Sequence, residues 1–313
     1  MRPITDWPSD SPHARLLRRT EPRRAAYGAA MTSESNRFGR RKPCLRRPPQ
    51  TSLIGCQVSS IATYRVWPLA LLLCRLSLAR AFRQSGLGPL WNSIGVAVAV
   101  AAVGTLFGTI LRRQLVSFDT YVDSLAAGLV IWSFLSAVVG ENSIAFARWM
   151  PILRHSNISL SVITLSVFLH HLPVLALNLG LFLLLQYLFL GFTPTILPLA
   201  ASLLLLLVNV AWMGAAAMVL GARFRDVGQL IANLLQITFL LTPILWPPYF
   251  LGRFEYLLLL NPFHHLLSTV GAAAIGNVAP AVNWWVSLAM ALTGGLASVG
   301  LYRWSRPRWP YWI

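Results

Sequence analysis

From residue 90 onward the chain alternates between long apolar runs and short polar or proline-bearing breaks. About 20 apolar residues in helical form cross the roughly 30 Å hydrocarbon layer of a bilayer. On that measure the pattern predicts six transmembrane helices, over about 90–111, 122–140, 162–190, 196–220, 229–246 and 283–302. Pro89 suits the first turn of the first span, and Arg112 and Arg113 close it, offset by Asp119 and Asp123. Gly104 and Gly108 within it form a Gly-xxx-Gly step of the kind that lets helices approach closely. Glu141 and Asn142 end the second span, and Pro173 should kink the third. The fourth leaves the membrane at the charged Gly221-Ala-Arg-Phe-Arg-Asp226, and the fifth is broken by the prolines of Thr242-Pro-Ile-Leu-Trp-Pro-Pro248.

Two apolar stretches do not fit a full span. Segment 67–85 is too short, and helical spacing sets Arg75, Arg80 and Arg83 on one side against Leu71, Cys74, Leu78 and Phe82 on the other. It reads as an amphipathic helix lying in the membrane interface. Residues 256–275 are apolar but hold Asn261-Pro262 and His264-His265, which are costly in hydrocarbon. They read as short re-entrant or interfacial helices between spans five and six. The stretch after span two, about 144–160, is too polar for lipid and long enough for a short helix outside it.

Composition agrees with this picture. Hydrophobic residues make up 56% of the 313, charged residues only 11%, and mean hydropathy is +0.61. Net charge is +17, and its placement orients the chain. Alternate segments carry Arg75, Arg80 and Arg83, then Arg148 and Arg154, then Arg223 and Arg225, then Arg303, Arg306 and Arg308; the other loops carry only Arg112, Arg113 and Arg253. Arginine marks the cytoplasmic side, so both termini are expected there, which demands an even number of spans. Trp304, Trp309, Tyr311 and Trp312 follow the last span as an interfacial aromatic belt. Residues 1–66 form a basic, acid-poor leader rich in Pro and Ser, which reads as disordered. Translation from Met31 would remove much of it. The membrane domain is then 67–313.

Chemistry is sparse. There is no glycine-rich phosphate loop with its lysine, and Lys42 is the only lysine, so this chain does not hydrolyse nucleotide by that route. His170-His171 and His264-His265 are adjacent pairs, and helical neighbours point about 100° apart, so neither pair readily chelates one metal ion. Cys44, Cys56 and Cys74 share no motif that would give a disulfide framework or zinc site. The spans hold almost no acids, so a proton relay is not visible and an outside energy source is favoured. Glu141 is read as a helix-end residue reaching water.

Four stretches carry a resemblance: Phe82-Arg-Gln-Ser-Gly-Leu-Gly-Pro-Leu-Trp91, Leu125-Ala-Ala-Gly-Leu-Val-Ile-Trp-Ser-Phe134, Gly221-Ala-Arg-Phe-Arg-Asp226, and Leu241-Thr-Pro-Ile-Leu-Trp-Pro-Pro248 followed by Leu260-Asn-Pro-Phe263. In this order they resemble the permease subunit of type-2 ABC transporters, in the polysaccharide and O-antigen export branch. The resemblance implies an all-α permease acting as a homodimer with two cytoplasmic ABC ATPase subunits in the bacterial inner membrane. ATP and Mg would sit on the ATPases, with no cofactor in this chain and no nucleic-acid partner. It implies a substrate that is a lipid-linked polysaccharide, O-antigen or capsule-like. It places an ATPase-coupling helix at about 144–160, with Arg148, Met150, Pro151, Arg154 and His155 as candidates. Arg75, Arg80 and Arg83 would meet pyrophosphate or lipid headgroups, and Trp91, Phe107, Trp132, Phe134, Phe239 and Trp246 would line the glycan path. Two alternatives stay open: an exporter permease for a drug or small lipid, and a membrane-embedded acyl- or glycosyltransferase using His170, His171 or Glu141.

Overall fold

In hydrocarbon every backbone polar group needs a partner within the protein, so a chain this apolar crosses as helices. A computed structural model describes residues 66–84, 90–110, 118–153, 158–190 and 194–311, and helices dominate all of it, with no strand among the described residues. The leader 1–65, Arg112, Arg113, Arg154 and His155 lie outside the described residues. In chain order the elements are α1 (Val66–Gln84), α2 (Leu90–Ile110), α3 (Phe118–Leu153), α4 (Leu160–Leu190), α5 (Ile196–Arg223), α6 (Val227–Leu241), a 3-10 segment (Pro248–Leu260), α7 (Pro262–Ala274), α8 (Ala281–Ser305) and a 3-10 turn (Arg306–Tyr311).

Helix α3 is the hub. Helices α2, α4, α5, α6 and α7 all pack on it. Leu125, Ile131, Leu135 and Val138 of α3 are fully buried against Leu206 and Val210 of α5 and Leu266 and Val270 of α7. The outer faces are apolar too: Leu184, Leu188, Leu204, Leu292 and Leu296 are exposed, as lipid-facing side chains should be. Glycine sets the closest approaches. A Cβ on Gly221 would overlap the backbone carbonyl oxygen of Ser143, which locks the end of α5 to α3. On α2, Gly104 and Gly108 are both buried and turned toward α3.

Five helices are long and apolar enough to cross a membrane: α2, α3, α4, α5 and α8. The fifth expected span, 229–246, is represented by α6, which has only 15 residues. It stops because Thr242 turns its own hydroxyl onto Thr238 O (2.8 Å) and Pro243 follows. A second difference is larger. The span expected at 122–140 does not end at Glu141, and no separate helix begins after it. Helix α3 runs 36 residues without a break, about 54 Å at 1.5 Å per residue. The polar residues that suggested an end are accommodated along the helix. Asn142 Nδ2 donates to Val138 O (2.9 Å), Ser143 Oγ to Gly140 O (2.6 Å), and Glu141 pairs with side chains. In 256–275 the chain forms short pieces, as the sequence suggests. The 3-10 segment is kinked at Gly252, whose φ of +51° favours glycine, and α7 has 13 residues. Pro173 lies within a single helix, α4.

Candidate functional site

The far end of α3 carries one ionic cluster. Glu141 accepts from Arg148 Nη1 through one carboxylate oxygen (2.6 Å) and from His171 Nε2 through the other (2.8 Å). Arg148 lies two turns along the same helix, and His171 belongs to α4. One carboxylate therefore ties the projecting end of α3 to its neighbour. Glu141 is only 28% exposed and sits mid-helix, which corrects its reading as a helix-end residue reaching water. With both oxygens engaged it offers no free base. His170 stacks edge-on to His171 at 5.2 Å, and its Nδ1 is buried without a partner.

The coupling candidates divide. Arg148 is 55% exposed, Pro151 is exposed on the last turn of α3, and Met150 is half-buried beside Phe146 and Leu153. These residues stand on the extension of α3 itself, not on a separate helix. The gate candidates stand together: Arg75, Arg80 and Arg83 are exposed along α1, while Ala70 and Cys74 on the same helix are buried. Helix α1 packs on α4.

The six path aromatics do not form one surface within the chain. Trp132 meets Phe239 at 5.7 Å and Phe263 at 6.0 Å, a three-ring cluster linking α3, α6 and α7. Phe134 points elsewhere and meets Phe168 of α4 at 6.1 Å. Trp132 and Phe134 are 7% and 4% exposed, so their rings are committed to packing in this conformation. Phe107 and Phe239 are half-buried against the core, and Trp91 stands exposed at the start of α2. Trp246 is half-buried and donates to Leu240 O (3.3 Å). Phe263 was not among the expected aromatics, although it closes the Leu260-Asn-Pro-Phe263 motif.

The pieces after α6 are fastened by polar side chains. Asn261 caps α7, accepting from Phe263 N (3.0 Å) and His264 N (3.4 Å), and its amide donates to Thr242 Oγ1 (3.1 Å). His265 is buried, with Nε2 donating to Leu259 O (3.0 Å) and Nδ1 2.7 Å from the Asn283 side chain of α8. Burial, and then neighbouring His265, pushes His264 down to about 4, so its ring is neutral near pH 7.

A helical bundle of membrane-crossing length, with Glu141 and His171 paired between two of its helices, is built to sit in a bilayer. The chain belongs to the ABC-2 type transporter family, which it matches over residues 69–275. It is similar to the O-antigen export system permease protein RfbA of Myxococcus xanthus, 26% identical over 191 residues that cover 59% of this chain and 70% of that protein. The chain is thus a membrane transport subunit, not a catalytic enzyme, and its family implies association with ABC ATPases.

Proposed function

We propose that this chain is the membrane-spanning half of an ATP-driven exporter that moves a lipid-linked polysaccharide, O-antigen or capsule-like, across the bacterial inner membrane. The observation that carries this is its similarity, over 59% of the chain, to an O-antigen export permease. In this reading two copies pair, and two cytoplasmic ATPases bind the arginine-rich side. The exposed end of α3 with Arg148 and Pro151, together with Arg154 and His155 just after it in sequence, receives the ATPase. Closure of the ATPases pushes this end. Because α3 is continuous and held to α4 by Glu141–His171 and to α5 at Gly221, the push moves three helices together. Helix α1 lies in the cytoplasmic interface with Arg75, Arg80 and Arg83 toward phosphate-bearing headgroups. Helix α6 is the sixth crossing; at about 22 Å it spans most of the hydrocarbon. The 3-10 segment and α7 re-enter from outside, which returns both termini to the cytoplasm.

The test is to purify the native complex with its bound lipids and identify what accompanies the chain. An ABC ATPase together with a polyprenyl-linked glycan is the expected result. An ATPase with a small lipid or drug and no glycan would overturn the substrate assignment, and purification with no ATPase would overturn the exporter reading.

A further inference from the structure

Helices α4 and α8 both lie against α5 and leave a groove between them, about 430 Å³ in volume. Its floor is small, with Ala211 and Ala215 of α5, which is why the two flanking helices leave room above it. Its walls are apolar: Leu165 and Phe168 on α4 face Val299 on α8. From Ser161 to Phe168 the groove follows α4 for about 10 Å. At one end Tyr302 Oη of α8 donates to Ser161 Oγ of α4 (2.9 Å) and bridges the gap.

That same end is basic. Arg303 and Arg306 stand at the mouth, both exposed. No acidic side chain lines the groove. Among the described residues neither arginine has an ion-pair or hydrogen-bond partner. Their neighbour Arg308 differs, since it donates to Trp304 O (2.6 Å) and covers the Trp304 ring at 4.2 Å. The groove therefore joins two unneutralised guanidinium groups to an apolar slot that runs along membrane-crossing helices. Basic pockets between transmembrane helices on the arginine-rich side suit anionic lipid headgroups.

We propose that this groove is a binding site for an anionic phospholipid of the bilayer. Its phosphate lies between Arg303 and Arg306, hydroxyl groups of Tyr302 and Ser161 face its glycerol region, and one acyl chain follows Leu165, Phe168 and Val299 along α5. The lipid fills the space between α4 and α8 and ties the last helix to the rest of the bundle. The site needs only residence in a membrane, so it stands independently of what the transporter carries.

The experiment uses the full chain, purified in detergent and titrated with phosphatidylglycerol or phosphatidylcholine, with retained lipid counted by native mass spectrometry. The wild type should retain phosphatidylglycerol about 10- to 30-fold more strongly than phosphatidylcholine, the preference expected of two arginines at a membrane surface. The double variant Arg303→Gln/Arg306→Gln should lose that preference, whereas Arg303→Lys/Arg306→Lys should keep most of it. Val299→Trp, which fills the slot and leaves both arginines, should also lose phosphatidylglycerol. Equal retention of the two lipids by the wild type, or an undiminished preference in the double Gln variant, would overturn the site. Retention unaffected by Val299→Trp would show charge attraction without a chain-binding slot. Displacement of phosphatidylglycerol by millimolar inorganic phosphate or pyrophosphate alone would assign the arginines to a free phosphate rather than a lipid.

Discussion

At the residue scale, a few polar side chains join one helix to another: Glu141 to His171, Asn209 to the Ser287 carbonyl, His265 to Asn283 and Tyr302 to Ser161. Gly221 does the same by lacking a side chain. A Cβ there meets the Ser143 carbonyl, a backbone atom that cannot swing away. Gly221→Ala should therefore lower stability by about 1–3 kcal/mol, as overpacking does. Gly300→Ala, where a Cβ meets open space, should be neutral or slightly stabilising. Thermal unfolding in detergent, followed by near-ultraviolet dichroism, compares the two. His264 makes a prediction with pH. Its folded-state value is about 4, against about 6.5 in an unfolded chain. As pH falls below about 6.5 the unfolded chain takes up a proton that the folded one refuses. Stability therefore drops between about pH 6.5 and pH 4 and then levels. His264→Gln should flatten that part of the profile; an unchanged slope would remove His264 as its source. Pro243 was legible as a break, because it lacks the amide hydrogen that a continuing helix needs, whereas the positive φ of Gly252 had no sequence signal that set it apart from other glycines. The partners of Glu141 were not legible either, because a charged residue after an apolar run looks like the end of a span until its neighbours are known.

At the element scale, the apolar runs located the five helices of membrane-crossing length but misjudged the extents of α3 and α6, and part of the separate helix expected at about 144–160 belongs to α3. Helix α6 came out short, because the break begins at Thr242 and not at the last proline. Helix α3 came out long, because Asn142 and Ser143 bond to carbonyls of their own helix. Once the boundaries of α3 and α4 are known, the link between Glu141 and His171 becomes readable. Glu141 lies 12 residues before Leu153 and His171 lies 11 after Leu160, so the two stand at the same height of an antiparallel hairpin. Helix α7 is short and depends on its cap. Asn261→Ala removes the acceptor for two amide groups and the tie to Thr242, and should cost about 1 kcal/mol. Hydrogen exchange should show it first at the start of α7, with α3 unaffected. Equal loosening of both helices would mean that the cap serves the whole bundle.

At the scale of the molecule, the arginine pattern and the family motifs made the class of protein legible. They could not say which aromatic rings face a path, since that depends on how helices rotate about their axes, and periodicity leaves rotation open. The six-crossing topology is open to a direct test. With Cys44, Cys56 and Cys74 replaced by Ser, Arg306→Cys should react only with a reagent supplied from the cytoplasm. Val278→Cys, exposed before α8, should react only from outside. Labelling of both from one side would mean that α8 does not cross. The continuity of α3 has a further consequence, which concerns angle and not distance. A single inserted residue between Ser143 and Arg148 turns everything beyond it by about 100°. The surface offered to an ATPase would then face a different compass direction while remaining helical. Seven inserted residues bring it back to within about 20°. Association with the ATPase should fail with one added residue and recover, at least in part, with seven. A flexible connection would be indifferent to the number, whereas a rigid α3 would act as a keyed shaft that fits its partner only at certain rotations.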